Sequence, residues 1–243
     1  MANKNYRIKL LEGLDKKKAK RAIELIKEKL SQNGKILVLS LTGSKASGWA
    51  NENYDYDFHG IFAAKNYWDH VHSGEEGLDI HIFELNHLWR DIYCRHFEFF
   101  LNISNPFYIN PKFDFKRFMK FCTIEAVRQR KRDILRQIQD FEISKSPRIA
   151  LYSYRILMVP IYFLKRKKFE LNIYKINRAY KFKQLEKLKI AYTQGGKWNE
   201  NEIKRDLNRL LKEYDRLCQE KGEKLDTKKA ESWLAKMKKK FYS

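Results

Sequence analysis

The sequence predicts an α+β protein, a mixed sheet flanked by helices and followed by a basic all-helical part, on three observations. Short apolar runs with strand-like alternation crowd into the first 110 residues, and helical periodicity dominates after Asn110-Pro111. Charge changes at the same place. Residues 1–110 hold 15 Lys+Arg against 14 Asp+Glu, and residues 111–243 hold 36 against 16 of the chain's 51 and 30. Two domains are therefore expected, 1–110 and 111–243, divided at the turn signals Asn105-Pro106 and Asn110-Pro111.

The elements follow in order. Asp15 to Gln32 has an acid at its start and Ala19, Ala22, Ile23, Leu25, Ile26 and Leu30 at near-helical spacing, with Asn33-Gly34 as a stop. Lys35-Ile36-Leu37-Val38-Leu39-Ser40-Leu41 is a short apolar run that reads as a buried strand. Thr42 to Gly48 is rich in small residues and reads as a turn whose backbone N–H groups can approach a phosphate closely. Tyr54 to Ala64 alternates as a second strand, and Leu78 to Phe83 as a third, with Asp79 and His81 on one face and Leu78, Ile80 and Ile82 on the other. Asn86 caps an expected helix to Leu101. Beyond the turns, one helix is expected from Asp114 to about Phe141, a second from Pro147 to Phe169 bent or interrupted at Pro160, a third from Asn199 to Gln219 after Gly195-Gly196, and a last from Asp226 to about Phe241.

The chemistry rests on three carboxylates. Asp55 and Asp57, at i and i+2 on a strand, project from one face and can close on a single hard cation. An acid at Asp79, flanked by Leu78 and Ile80, needs a reason to be there, because unpaired carboxylates are rarely buried. Should its strand lie beside the second, Asp79 joins the pair. Three such groups repel one another unless positive charge holds them, and Mg²⁺ with a nucleoside triphosphate provides it. Read singly, each element is weak, since D-x-D and Gly-Ser pairs are common on exposed loops.

Together, Gly43-Ser44, Asp55-x-Asp57 followed by Gly60-Ile61, and the Asp79 strand resemble the nucleotidyltransferases of the DNA polymerase beta superfamily. The match is nearest to a predicted nucleotidyltransferase group of microbes and phages, some of whose members are associated with RNA ligases. It is strongest from Lys35 to Pro111, with an echo in Tyr152-Ser153-Tyr154-Arg155. The resemblance implies a nucleotidyltransferase-type sheet and Gly43, Ser44, Lys45 and Arg155 as nucleotide-binding residues. It also implies Asp55, Asp57 and Asp79 as the catalytic, metal-ligating set for Mg²⁺, with Mn²⁺ as the alternative; Asp79 ligates metal or takes the acceptor's proton. Lys45 stands where the group has arginine, Tyr54 where serine often precedes the first acid, and His59 where arginine often precedes the glycine. The implied reaction moves a nucleoside monophosphate from an NTP to a hydroxyl, on an RNA end by preference. A protein or small-molecule acceptor stays open, as does a non-catalytic nucleic-acid-binding role.

Composition bounds the remainder. At 243 residues with 43% hydrophobic and 14% aromatic content the chain is globular despite 33% charge. No apolar run approaches the roughly 20 residues of a bilayer span, the N-terminus lacks a secretory core, and cytoplasmic residence with no membrane partner is expected. Cys94, Cys122 and Cys218 have no metal-ligand spacing and are expected as reduced thiols. Of the six histidines, His70-x-His72 can in principle bind metal and His81 shares the face of Asp79, although packed or solvent-bridged histidines are commoner. A basic half attracts polyanions, and RNA in preference to DNA is the expected partner. Basic and aromatic residues interleave at Tyr162–Phe169 and Tyr174–Lys183, a pattern that suits base stacking or, equally, a packed amphipathic helix.

Overall fold

The computed structural model describes residues 9–30, 34–50, 53–64, 70–86, 97–220, 222 and 224–242. The expected α+β class is present: a five-stranded mixed sheet with flanking helices, then a helical C-terminal part. Contacts divide the chain into two compact units. One comprises Met1–Ala46, Glu52–Cys122 and Leu225–Ser243; the other comprises Ser47–Asn51 and Thr123–Lys224.

In the sheet unit, α1 (Lys16–Leu30) starts at Asp15, whose Oδ1 accepts from the backbone N–H groups of Lys17 and Lys18 at 2.6 and 3.0 Å. It buries Ala19, Ala22, Ile23, Ile26 and Leu30, one stripe at helical spacing. β1 (Lys35–Leu41) is buried along all but its first residue and is an interior strand of the sheet. A short helix, α2 (Gly43–Ser47), follows where a turn was expected, because the Ala46 N–H reaches back to the Thr42 carbonyl at 3.2 Å. β2 (Tyr56–Ala63), β3 (His70–Glu75) and β4 (Leu78–Glu84) come next, then α3 (Phe97–Asn102) and β5 (Pro106–Ile109). The helix expected from Asn86 falls partly outside the described residues. The segment between Asn105 and Asn110, expected as turns, carries a strand. Proline is tolerated at Pro106 because that strand is at the edge, where its missing N–H breaks no ladder.

The sheet order is β3-β4-β2-β1-β5. β1 is antiparallel to β2 and to β5, β3 is antiparallel to β4, and β2 and β4 run parallel. α1 packs against β1, β3 and β4. Phe58, Leu78, Ile80 and Ile82 are buried on one side. On the other side Phe83 meets Phe99 of α3 edge to face at 5.7 Å, which closes one end of that side. α4 (Phe115–Met119) and α11 (Thr227–Tyr242) complete the unit through rings: Trp233 lies 5.3 Å from Phe118 and 5.6 Å from both Phe113 and Phe121. The Tyr242 hydroxyl donates to the fully buried carboxylate of Glu84, which also accepts from the Asn86 N–H at 2.6 Å.

The helical unit contains α5 (Ile124–Arg128), α6 (Lys131–Ser144), α7 (Pro147–Arg166), α8 (Ile173–Tyr180), α9 (Lys183–Gln194) and α10 (Glu200–Gln219). The single helix expected from Asp114 to Phe141 is instead three, α4 to α6. Asp114 caps only the first, accepting from the Arg117 N–H at 3.2 Å, and Thr123 is extended at φ −107° and ψ 170°. The aromatics of α4 turn into the Trp233 cluster and the apolar residues of α5 into the second unit, so one continuous helix cannot serve both. α7 is the central helix, packed against α6, α8, α9 and α10, and it continues through Pro160 without interruption. Pro160 is buried, and packing on several sides offsets the hydrogen bond it cannot make. Among the described residues no helix is long and apolar enough to cross a membrane.

On α7, the buried Tyr154 hydroxyl donates to Asp206 Oδ2 of α10 at 2.5 Å. Burial raises the Asp206 carboxyl above its ordinary range, against the lowering effect of that hydrogen bond and of Arg209. A raised carboxyl in the folded state contributes its full stability below the unfolded value and loses it as pH rises through the folded one. Asp206→Asn, which still accepts from Tyr154, is therefore expected to raise the urea midpoint at pH 7, with the gain fading as pH falls toward about 4. A midpoint difference independent of pH would show that desolvation of this carboxyl is not felt.

Candidate functional site

The site is built on the half-open side of the sheet by period-two alternation. Asp57 and His59 of β2 and Asp79 and His81 of β4 alternate with buried residues along their strands, and the parallel register sets Asp57 beside Asp79 and His59 beside His81. Neighbouring strands lie about 4.8 Å apart, so the two carboxylates stand side by side. β3 adds His72, register partner of His81. Carboxylates thus occupy one row across the strands and imidazoles the next.

Asp57 is held from the chain preceding it. Its carbonyl accepts from the Thr42 N–H at 2.8 Å and from the Thr42 hydroxyl at 3.2 Å. Gly43, at φ +62°, lies so close that a Cβ there would fall 1.7 Å from Asp57 Oδ2 and 2.5 Å from its Cγ. Only glycine allows both the backbone conformation and the approach. Lys45 Nζ sits over the Tyr56 ring at 4.4 Å from its centroid, so its cation lies next to the strand of Asp57. Ser44 is half-buried beside it. Asp55 is exposed and precedes β2 instead of lying on it.

Asp79 has two nitrogen neighbours. His72 Nε2 lies 2.9 Å and His81 Nε2 3.2 Å from the same oxygen, Asp79 Oδ1. The His72 and His81 rings stack at 4.4 Å, and His59 lies 5.3 Å beyond His81. Among the described residues, the three potential metal donors whose ligand atoms fall within 4.8 Å of one another are His72, Asp79 and His81; Asp55 and Asp57 are not in that group. In the sequence, His70-x-His72 stands apart from the face shared by Asp79 and His81, because no apolar run marks β3, the strand that joins them. The signal was there in the alternation His70-Val71-His72-Ser73, with Val71 and Ser73 buried, ahead of the turn at Gly77.

Arg155 belongs to the helical unit. There it lines a cavity of about 240 Å³ with Arg130, Arg136, Asp133, Gln137 and Tyr152. Tyr152 and Arg155, three apart on α7, share a face, and Tyr152 meets Trp49 edge to face at 5.3 Å. Three guanidiniums against one carboxylate leave that cavity cationic. Cys122 and Cys218 form no disulfide, and Cys94 lies outside the described residues.

No family model matches this sequence, and no curated protein sequence matches it. Among solved structures, a nucleotidyltransferase-like protein from Exiguobacterium sibiricum 255-15 is similar at 13% identity, over 83% of this chain and 74% of that chain, with a TM-score of 0.30. At that level of superposition it assigns no residue.

The glycine contact makes a specific stability difference. Gly43→Ala and Gly77→Ala both place a side chain at positive φ in the same unit, but the Gly77 Cβ meets only the flexible end of Lys18, at 2.9 Å from Nζ. Urea unfolding is expected to show a loss of about 1 kcal/mol at Gly77 and about 2–4 kcal/mol at Gly43. Equal losses would mean that the Asp57 carboxylate swings away freely.

Proposed function

We propose that the chain is a nucleotidyltransferase that joins a nucleoside monophosphate to a hydroxyl and releases pyrophosphate. The observation that carries this reading is the register of β2 with β4, which sets Asp57 beside Asp79 on an accessible face with Gly43 against the Asp57 carboxylate. Asp57 and Asp79 offer carboxylate oxygens on one face, the donor type of a hard cation, and Asp55 would join them by turning in from the exposed segment before β2. Mg²⁺, with Mn²⁺ as alternative, would be held by Asp55, Asp57 and Asp79 and would supply charge neutralisation for the triphosphate and its leaving pyrophosphate.

The chain's own residues have separable tasks. The small-residue segment at Gly43 and Ser44 lets the triphosphate tail approach the backbone, and Lys45 adds a cation beside it. Asp79, hydrogen-bonded to His72, takes the proton from the attacking hydroxyl. The acceptor oxygen forms a bond to the α-phosphorus while the bond from that phosphorus to the β-bridging oxygen breaks, and the electron pair leaves with pyrophosphate. Within the helical unit, Arg155 and its neighbours Arg130 and Arg136 offer a cationic site of their own for a phosphate group. The excess of basic residues after Asn110 favours an RNA end as that acceptor.

With α-labelled NTPs, Mg²⁺ and an RNA pool, label is expected in RNA, and Asp57→Ala is expected to reduce it at least about 100-fold while the circular dichroism spectrum is unchanged. Label that persists in that variant refutes the assigned chemistry; label in added protein instead of RNA moves the acceptor; no Mg²⁺-dependent NTP binding at all makes the chain a non-catalytic binder. Arg155→Ala is expected to raise the KM for NTP or the Kd for RNA roughly tenfold or more, as loss of a charge-assisted hydrogen bond would. Unchanged values for both would remove Arg155 from the site.

A further inference from the structure

We infer that His72, Asp79 and His81 form a binding site for one divalent transition-metal ion of the Zn²⁺ class, distinct in donor chemistry from the oxygen-ligand Mg²⁺ site and sharing only Asp79 with it. The inference stands on the arrangement of three side chains and does not require nucleotidyl transfer to be the reaction.

The three donors are fixed by the sheet. Asp79 and His81 are i and i+2 on β4, on one face, and His72 faces His81 across the antiparallel β3–β4 ladder. Both Nε2 atoms converge on one carboxylate oxygen, at 2.9 and 3.2 Å. Two ligands bound at about 2.0–2.1 Å to a common ion stand roughly 2.9 Å apart at a right angle and roughly 3.4 Å apart at the tetrahedral angle. The two nitrogen–oxygen separations match that spacing and all three ligand atoms lie within 4.8 Å of one another, so side-chain adjustment brings them around one ion. The backbone positions belong to a hydrogen-bonded ladder and are therefore preorganised.

Donor type selects the ion. Two imidazoles and one carboxylate favour borderline transition ions, and Mg²⁺ has little affinity for imidazole nitrogen. Three protein ligands leave at least one position for water or for an incoming oxygen, as in zinc sites with an open position. Access is open: the side chains of His72, Asp79 and His81 are 56%, 39% and 34% exposed. Packed histidines explain the arrangement less well, because an imidazole stabilised by packing alone has no reason to aim the same ring nitrogen as its neighbour at one oxygen. Occupancy would engage Asp79 Oδ1, so a transition ion bound here competes directly for the carboxylate that the Mg²⁺ site uses.

Calorimetric titration of the full chain with ZnCl₂, without nucleotide or Mg²⁺, tests this. One ion per chain is expected, persisting in excess MgCl₂. His72→Ala and His81→Ala should each weaken binding at least about tenfold, as should the milder His72→Gln and His81→Gln, with urea midpoints confirming that each variant folds. His70→Ala, on the same strand, and Cys218→Ser should bind as the parent does. The site is overturned if the parent binds no Zn²⁺, or if affinity and stoichiometry survive with both His72 and His81 replaced. Asp57→Ala separates this claim from the transfer reaction: loss of labelling in that variant with Zn²⁺ binding retained supports both, and labelling retained there with Zn²⁺ binding lost in the histidine variants leaves only the metal site standing.

Discussion

The parallel pairing of β2 with β4 is the constraint on which the rest of the sheet unit depends. It fixes Asp57 opposite Asp79 and His59 opposite His81, while Phe58 and Ile80 face the core. A slip of one residue in either strand would turn its polar set into the core and expose its apolar set, so register here is enforced by burial of whole side chains, not by the polar groups themselves. Gly60 of β2 contributes on the side of β1. A Cβ there would meet the Val38 carbonyl at 2.3 Å and the Leu39 side chain at 2.7 Å, so β1 and β2 approach as closely as they do only because that position is bare.

The rigidity of the polar rows comes from what lies beyond them along the same strands. β4 passes from Asp79 and His81 to Phe83, which packs on Phe99, and ends at Glu84, a buried carboxylate held by Tyr242 and the Asn86 N–H. Tyr242 is itself on the last helix, which is anchored through Trp233 to Phe113, Phe118 and Phe121. Burial and the neighbouring Glu84 push the Tyr242 hydroxyl far above its ordinary range, so it stays a donor at any physiological pH. The half-open end of the strand is thus tethered by a closed end, and the polar side chains need not contribute to stability in order to be well placed.

Legibility in the sequence followed the range of the interactions. α1, β1, β4 and the long α10 were readable because each carries its own periodicity and, at Asp15 and Asn199, its own cap. The residues of the polar face were readable for the same reason: alternation alone predicts that Asp79 and His81 share a side. Their neighbours were not. That β4 pairs with β2 on one side and β3 on the other is a long-range fact, and it is what brings His72 to Asp79. The helix ends were equally obscure, since α6, α7 and α8 stop at Lys145, Lys167 and Lys181 in the left-handed conformation, where no glycine occupies the stop. The anchoring of Trp233 against Phe113 spans more than a hundred residues and leaves no local trace.

Charge in the second half of the chain obeys a limit that local pairing cannot remove. Ion pairs are plentiful there, including Lys131 with Asp215, Lys165 with Glu213, Lys204 with Glu200 and Arg128 with Glu125. Such pairs between partly exposed groups contribute little to stability, but they do cancel charge locally. Residues 111–243 offer 16 acids to 36 bases, so even if every acid were paired within the segment, twenty cations would keep no carboxylate of their own. That surplus is balanced only by counterions or by a polyanion that displaces them, and displacement is what gives polyanion binding its dependence on salt. Arg130, Arg136 and Arg155 concentrate part of the surplus around one cavity with a single carboxylate, Asp133, and an aromatic face, Tyr152. Planar guanidiniums gathered around a single carboxylate are matched in geometry to the paired oxygens of a phosphate.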